Sequence, residues 1–165
     1  MSNMVYLLCS LPSLNFRQVP PISFDDFCND SQKQLSKKHF RMLETVDLKE
    51  MDSDEEGKLK HFTDLYADLI GDLTEMRNAK AEKRPPRLAY LPQSVTELNP
   101  LEREKQIMRW QWERLDDIEV GNTFTLVNLF VYKLKLQILH RLHSLEPDRG
   151  RQVFESVIND AKKKG

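Results

Sequence analysis

Between Asn122 and Glu146 the chain carries no glycine and no proline, yet it is rich in leucine, valine, isoleucine and phenylalanine. Strands are usually about 3–10 residues long, so an unbroken stretch of this length favours a helix. Taken alone, Leu134-Lys-Leu-Gln-Ile138 alternates like a strand, but with no breaker on either side length decides against it. On a helix, Leu126, Leu129, Phe130, Leu134, Ile138 and Leu142 can be buried, while Lys133, Gln137, Arg141 and Ser144 share a polar stripe. The stretch is therefore expected to be the central core helix, which other helices must cover.

Those covering helices can be read from their caps and stripes. Asn99-Pro-Leu-Glu102 offers a capping amide, a proline at the first helical position and a glutamate able to reach back to the cap. The helix it opens should turn Leu101, Met108, Trp112, Leu115 and Ile118 inward, with Trp110 on the flank, and stop at Gly121-Asn122. A longer helix over 55–84 carries the stripe Leu59, Phe62, Leu65 or Tyr66, Leu69, Leu73 and Met76, with Pro85-Pro86 as its stop. Gly71 within that stripe is either a point of close helix approach or a simple defect. Ser23 and Ser36 are expected to cap earlier helices that bury Phe24, Phe27 and Leu35, then Phe40, Leu43 and Val46. Before them, residues 4–22 hold Pro12, Pro20 and Pro21 and read as an extended arm or at most one short helix. Glu146-Pro147-Asp148 opens a last helix burying Val153, Phe154, Val157 and Ile158.

The expected fold is all-α: antiparallel helical hairpins in a bundle of about five to six helices behind an extended N-terminal arm. One helical domain spans residues 1–165, with a first half 1–84, a linker 85–98 and a second half 99–160. Lys plus Arg number 25 and Asp plus Glu 26, a net charge of -1, so no long-range basic field exists to gather nucleic acid or an anionic membrane. Cys9 and Cys28 form neither a CxxC pair nor a disulfide framework, and no stretch approaches the ~20 apolar residues that span a bilayer. A soluble, cytoplasmic protein is expected.

Catalytic equipment is sparse. Asp52-Ser-Asp-Glu-Glu-Gly57 has the first half of a calcium loop, but position twelve is Thr63 where a bidentate glutamate is needed. His140 and His143 have ligand-compatible helical spacing without HExxH or paired ExxH motifs. Phosphate-cradling loops, a GxSxG elbow and a Cys/His nucleophile signature are all missing from the sequence. The basic run Lys80-Ala-Glu-Lys-Arg-Pro-Pro-Arg87 lacks flanking aromatics for base stacking. The expectation is a non-enzyme with no cofactor and no metal, acting through protein surfaces. Candidate partner-contact residues are Trp110 and Trp112 as aromatic anchors, and Arg87, Lys133 and Arg141 as cations, although tryptophans at helical spacing more often belong to a core.

Several motifs occur in an order that resembles a known family. These are Asn99-Pro-Leu-Glu-Arg-Glu, Trp110-Gln-Trp-Glu-Arg-Leu-Asp-Asp-Ile-Glu119, Phe124, Tyr132-Lys-Leu-Lys-Leu-Gln-Ile-Leu-His-Arg141 and Gly150-Arg-Gln-Val-Phe154. They resemble a bacterial family associated with V-type ATPases. With Tyr6-Leu-Leu-Cys-Ser-Leu-Pro-Ser-Leu14, Pro21-Ile-Ser-Phe-Asp-Asp-Phe27, Phe62-Thr-Asp-Leu-Tyr66 and Met76-Arg-Asn-Ala79, the chain is similar to a shortened relative of the rotary ATPase central-stalk subunit, called C in archaeal-type enzymes and d in eukaryotic ones. That resemblance implies an all-helical, non-catalytic socket whose partners are central-stalk and membrane rotor subunits, with membrane contact only indirect through the complex. The chain is much shorter than a full socket, which leaves room for an assembly role. Two other readings stay open: a freestanding helical adaptor of another complex, and a metal-dependent helical enzyme using His140 and His143.

Overall fold

A computed structural model of the chain describes residues 3–50 and 59–146. The calcium-like half-loop at 52–57 and the last expected helix, with Val153, Phe154, Val157 and Ile158, lie outside the described residues. Within them the fold is all-α. Six α-helices appear in chain order: α1 (Met4–Ser10), α2 (Phe24–Gln34), α3 (Lys37–Thr45), α4 (Lys60–Ala81), α5 (Pro100–Glu119) and α6 (Leu126–Ser144). A short 3-10 helix, Gln93–Glu97, interrupts the connection between α4 and α5. Among the described residues no helix is long and apolar enough to cross a membrane.

Side-chain caps set the helix starts. Ser23 Oγ accepts from the Asp26 N–H at 3.1 Å, Ser36 Oγ from His39 at 3.2 Å and Asn99 Oδ1 from Glu102 at 2.9 Å. Each satisfies one of the donors that a helix N-terminus leaves unpaired. Thr125, which the sequence did not single out, does the same for α6. Glu102 stays on its own helix, its carboxylate 3.6 Å from Lys105 Nζ, instead of reaching back to the cap.

The end of α4 differs from expectation. The helix stops at Ala81, three residues before the predicted boundary and ahead of the two prolines. Lys83 adopts a left-handed backbone with φ 55, the Arg84 N–H donates to the Ala79 carbonyl at 3.0 Å and the Lys83 N–H to the Lys80 carbonyl at 3.3 Å. This is the paired C-terminal closure that glycine usually fills, here built around a lysine. Upstream, Gly71 is not a close-approach site, since a Cβ there would meet nothing within 4 Å.

Helices α5 and α6 form the most extensively packed pair. Asn128 bonds Glu119, Lys135 bonds Asp116 and Arg141 bonds Glu104, a series that falls on α5 as it rises on α6 and so defines an antiparallel hairpin. Because Arg141 faces Glu104, α6 ends about level with Leu101, which is left 37% exposed instead of turned inward. Trp110, expected on the flank, is buried.

Helix α6 is the core helix, but its predicted polar stripe is not solvated. Val131, Leu136 and Leu139 are buried along with Leu129, Phe130, Leu134, Ile138 and Leu142 of the expected set, Leu126 being only partly buried, so the helix is enclosed around most of its circumference. Helix α3 and the chain just after it lie over the stripe. Lys133 Nζ donates to the Leu43 carbonyl at 2.8 Å, Gln137 Nε2 donates to Asp47 at 2.9 Å, and Gln137 Oε1 accepts the Leu48 N–H at 3.1 Å. Only Arg141 and Ser144 of that stripe remain exposed. Beside it, the segment after α1 crosses α6 with a turn at residues 15–18, where Arg17 is left-handed: Tyr132 Oη donates to the Pro12 carbonyl at 2.6 Å and His140 Nε2 lies 3.0 Å from the Ile22 carbonyl. Aromatic contacts close the core, with Phe27 stacked on Tyr132 at 5.5 Å and Phe62 edge-on to Phe130 at 5.8 Å.

Gly71 thus occupies a helix interior where alanine is preferred, and Lys83 a left-handed position where glycine is preferred. Gly71→Ala and Lys83→Gly are each expected to raise the unfolding free energy by about 1 kcal/mol, read from urea denaturation midpoints at unchanged slope.

Candidate functional site

The connection from α4 to α5 is held by two carboxylates one turn apart on α4. Asp72 occupies a position on the apolar stripe and is 3% exposed. Its oxygens accept the backbone N–H groups of Ala89 at 2.9 Å, Tyr90 at 2.9 Å and Leu91 at 2.7 Å. A carboxylate removed from water is costly unless such donors replace its hydration, and three do so here. Glu75 accepts two bonds from the Arg84 guanidinium, at 3.2 and 2.7 Å, and the Arg87 N–H at 3.0 Å. The bonds from Arg84, then that from Arg87, hold the Glu75 carboxyl down at about 2. From the α5 side, Arg103 donates to the carbonyls of Val95, Thr96 and Leu98.

Two clefts flank this junction. One, of about 560 Å³, opens between α4, α5 and α6 over an apolar floor that includes Tyr66, Leu69, Ile70, Leu73, Ile107 and Met108. Part of its polar rim is already paired, Arg141 with Glu104 at 2.6 Å and Gln137 with Asp47 and the Leu48 amide, while Lys49 and Gln111 also line it. The Glu104 hydrogen bond raises the Arg141 pKa above its ordinary value. Burial pushes the Asp47 carboxyl up, but the Lys49 amide and the Gln137 side chain outweigh it and hold the group below its ordinary value. The other cleft, about 500 Å³, lies between the end of α4 and the start of α5.

The five candidate contact residues are sorted by this geometry. Arg141 lines the apolar cleft, and Arg87 is exposed beside Glu75. Trp110, Trp112 and Lys133 are 9%, 6% and 6% exposed, so they are corrected from surface anchors to interior residues. The arm covers Trp112 and α3 covers Lys133. Phe16 packs edge-on against Trp112 at 5.5 Å, Lys135 lies 5.0 Å from the centre of the Trp112 ring, and Arg114 5.2 Å from that of Trp110. Lys133 terminates α3, where burial lowers its pKa against the opposing pull of Asp47. His140 and His143 are not drawn together at a common centre: His140 faces the Ile22 carbonyl, while His143 lines a separate cleft with Phe16, Lys105 and Arg109. Among the described residues no group of three or more His, Cys, Asp or Glu side chains is arranged to hold a metal ion.

The anchoring residue that sequence reading missed is Asp72. A charge placed among Leu69, Leu73 and Met76 on one helical face was the available signal.

The model of a family described as protein of unknown function (DUF2764) matches residues 67–165. The chain belongs to that family. The matched part of DUF2764 takes in most of α4, the connection with its two carboxylate anchors, α5 and α6, and it excludes α1 to α3. No curated protein and no solved structure matches the chain.

Two predictions test the junction. Asp72→Asn removes one acceptor and presents an amide to backbone donors, so it is expected to cost about 2–3 kcal/mol of stability in urea denaturation. For Glu75 the folded-state value of about 2 lies below the ordinary 4.5, so its contribution is complete above pH 4.5 and is lost as pH falls toward 2. Melting temperature measured across that acid window should therefore fall more steeply for the native chain than for Glu75→Gln.

Proposed function

We propose that this DUF2764 protein is a non-catalytic docking component of a V-type rotary ATPase, joining the central stalk to the membrane rotor or assisting their assembly. The observation that carries the docking part is the cleft between α4, α5 and α6. Its floor is apolar and the Arg141 and Gln137 side chains on its rim are paired internally, so a partner side chain entering it displaces water without breaking those pairs, while the Lys49 ammonium stays free among the described residues. A reactant site calls for unpaired polar groups converging on one point, whereas Arg141, Glu104, Gln137 and Asp47 converge on one another. The rotary ATPase assignment rests on the ordered motifs of α4, α5, α6 and the N-terminal arm, which resemble the central-stalk subunit. In this reading the protein is cytoplasmic and reaches the membrane only through the complex.

Affinity purification of the tagged chain from its own cells tests the proposal. Shaft and rotor-ring subunits are expected in the eluate at stoichiometric levels. Ile70, 40% exposed on the cleft floor, offers the variant: Ile70→Asp should reduce their recovery about tenfold, equivalent to ~1.4 kcal/mol. A chain that runs as a monomer and never accompanies the ATPase would overturn the assignment, and stable recovery of unrelated partners would replace it with a freestanding adaptor.

A further inference from the structure

We propose that the second cleft, between the last turns of α4 and the first turn of α5, docks an acidic amphipathic helix of a partner protein. Four cations line it, Arg77, Lys80, Arg84 and Arg103, and none of its lining residues is acidic. In a chain of net charge -1 that is a marked local segregation of charge. Helix dipoles do not account for it: the C-terminal end of α4 attracts cations, but the N-terminal end of α5, which also lines the cleft, repels them.

The four cations divide into two roles. Arg84 is fixed by Glu75 and Glu82, and Arg103 by three backbone carbonyls, so their donors are engaged and their charge is held in place. Arg77 and Lys80 are exposed, and their side chains make no ion pair or hydrogen bond among the described residues. They stand three residues apart on α4, so they present one cationic edge along the groove. Between these charges Leu73 and Met76 supply an apolar floor with the same spacing. A ligand that satisfies both features carries carboxylates beside an apolar stripe at helical period, which is an acidic amphipathic helix. A lone phosphate fits less well. It would need free guanidinium forks converging on it, whereas two of the three arginines already face internal acceptors, and it would leave the Leu73 and Met76 floor wet. The whole cleft lies inside the region matched to DUF2764.

This inference is independent of the rotary ATPase assignment, and its test uses only the full chain and synthetic peptides. Fluorescence anisotropy would be recorded with a labelled peptide bearing glutamates on one helical face and leucines on the other, and with a scrambled peptide of identical composition. Binding to the patterned peptide is expected, weakening as salt rises, and at least tenfold tighter than to the scrambled one. The double variant Arg77→Glu, Lys80→Glu should lose at least tenfold in affinity, with circular dichroism and urea midpoint showing that the fold is retained. Met76→Gln, neutral and similar in size, should weaken binding without altering the cationic edge. Equal affinity for the scrambled peptide would overturn the proposal, as would an undiminished affinity in the charge-reversed variant. Displacement of the peptide by millimolar inorganic phosphate, at matched ionic strength, would mark an anion site instead.

Discussion

The Asp72 carboxylate and the three amides it accepts decide how the two halves of the described chain meet. Between the end of α4 and the start of α5 the backbone runs from residue 82 to 99 with one short 3-10 helix, so most of its donors and acceptors have no repetitive partner. Helix side chains from both sides fill the deficit. Asp72 and Glu75 on α4 take the N–H groups of residues 87, 89, 90 and 91, and Arg103 on α5 takes the carbonyls of residues 95, 96 and 98. A connection clamped on its donors by one helix and on its acceptors by the other fixes the separation of those helices. The two clefts are the spaces that separation leaves.

A second set of constraints fixes register inside the core. Helix α6 has so much apolar surface that packing alone would tolerate several rotations about its axis. Lys133, Lys135 and Gln137 remove that freedom, because each must reach a particular acceptor. Lys133 finds the Leu43 carbonyl at the end of α3, where a cation also meets the negative pole of the helix. Lys135 finds Asp116 and Glu119 on α5, and Gln137 finds Asp47 and Leu48. Mismatched by one turn, these groups would be buried without partners. The same contacts explain why burial drives the Lys133 amine down and the Tyr132 phenol up: both lie where neighbouring elements have displaced water.

Much of the architecture was legible because it depends on local chemistry. Ser23, Ser36 and Asn99 marked helix starts through short polar side chains ahead of apolar stripes, and the unbroken stretch after Asn122 identified α6. What was not legible depends on residues distant in sequence. Lys133 and Gln137 share a stripe with Arg141, a pattern indistinguishable from a solvated face until α3 and Asp47, about ninety positions earlier, are laid over it. Trp112 was ambiguous for the same reason, since Phe16 of the arm covers it. The end of α4 was misplaced because Pro85-Pro86 is a conspicuous stop, while a lysine in the left-handed conformation leaves no mark in sequence. As to the candidate surfaces, the basic run near residue 80 was visible, but not its union with Arg103 into one cleft.

Leu73 belongs to the lining of both clefts, one residue after Asp72. The apolar cleft and the basic cleft are therefore neighbours along α4 that share the Leu73 side chain. Docking to such a surface loses little free energy to reorganisation, because the rims are held by existing pairs: Arg141 by Glu104 on one side, Arg84 by Glu75 on the other. A partner element that fits both chemistries in succession, apolar then acidic, gains from both clefts without two separate ordering costs. That continuity, more than either cleft alone, is what the proposed docking would use.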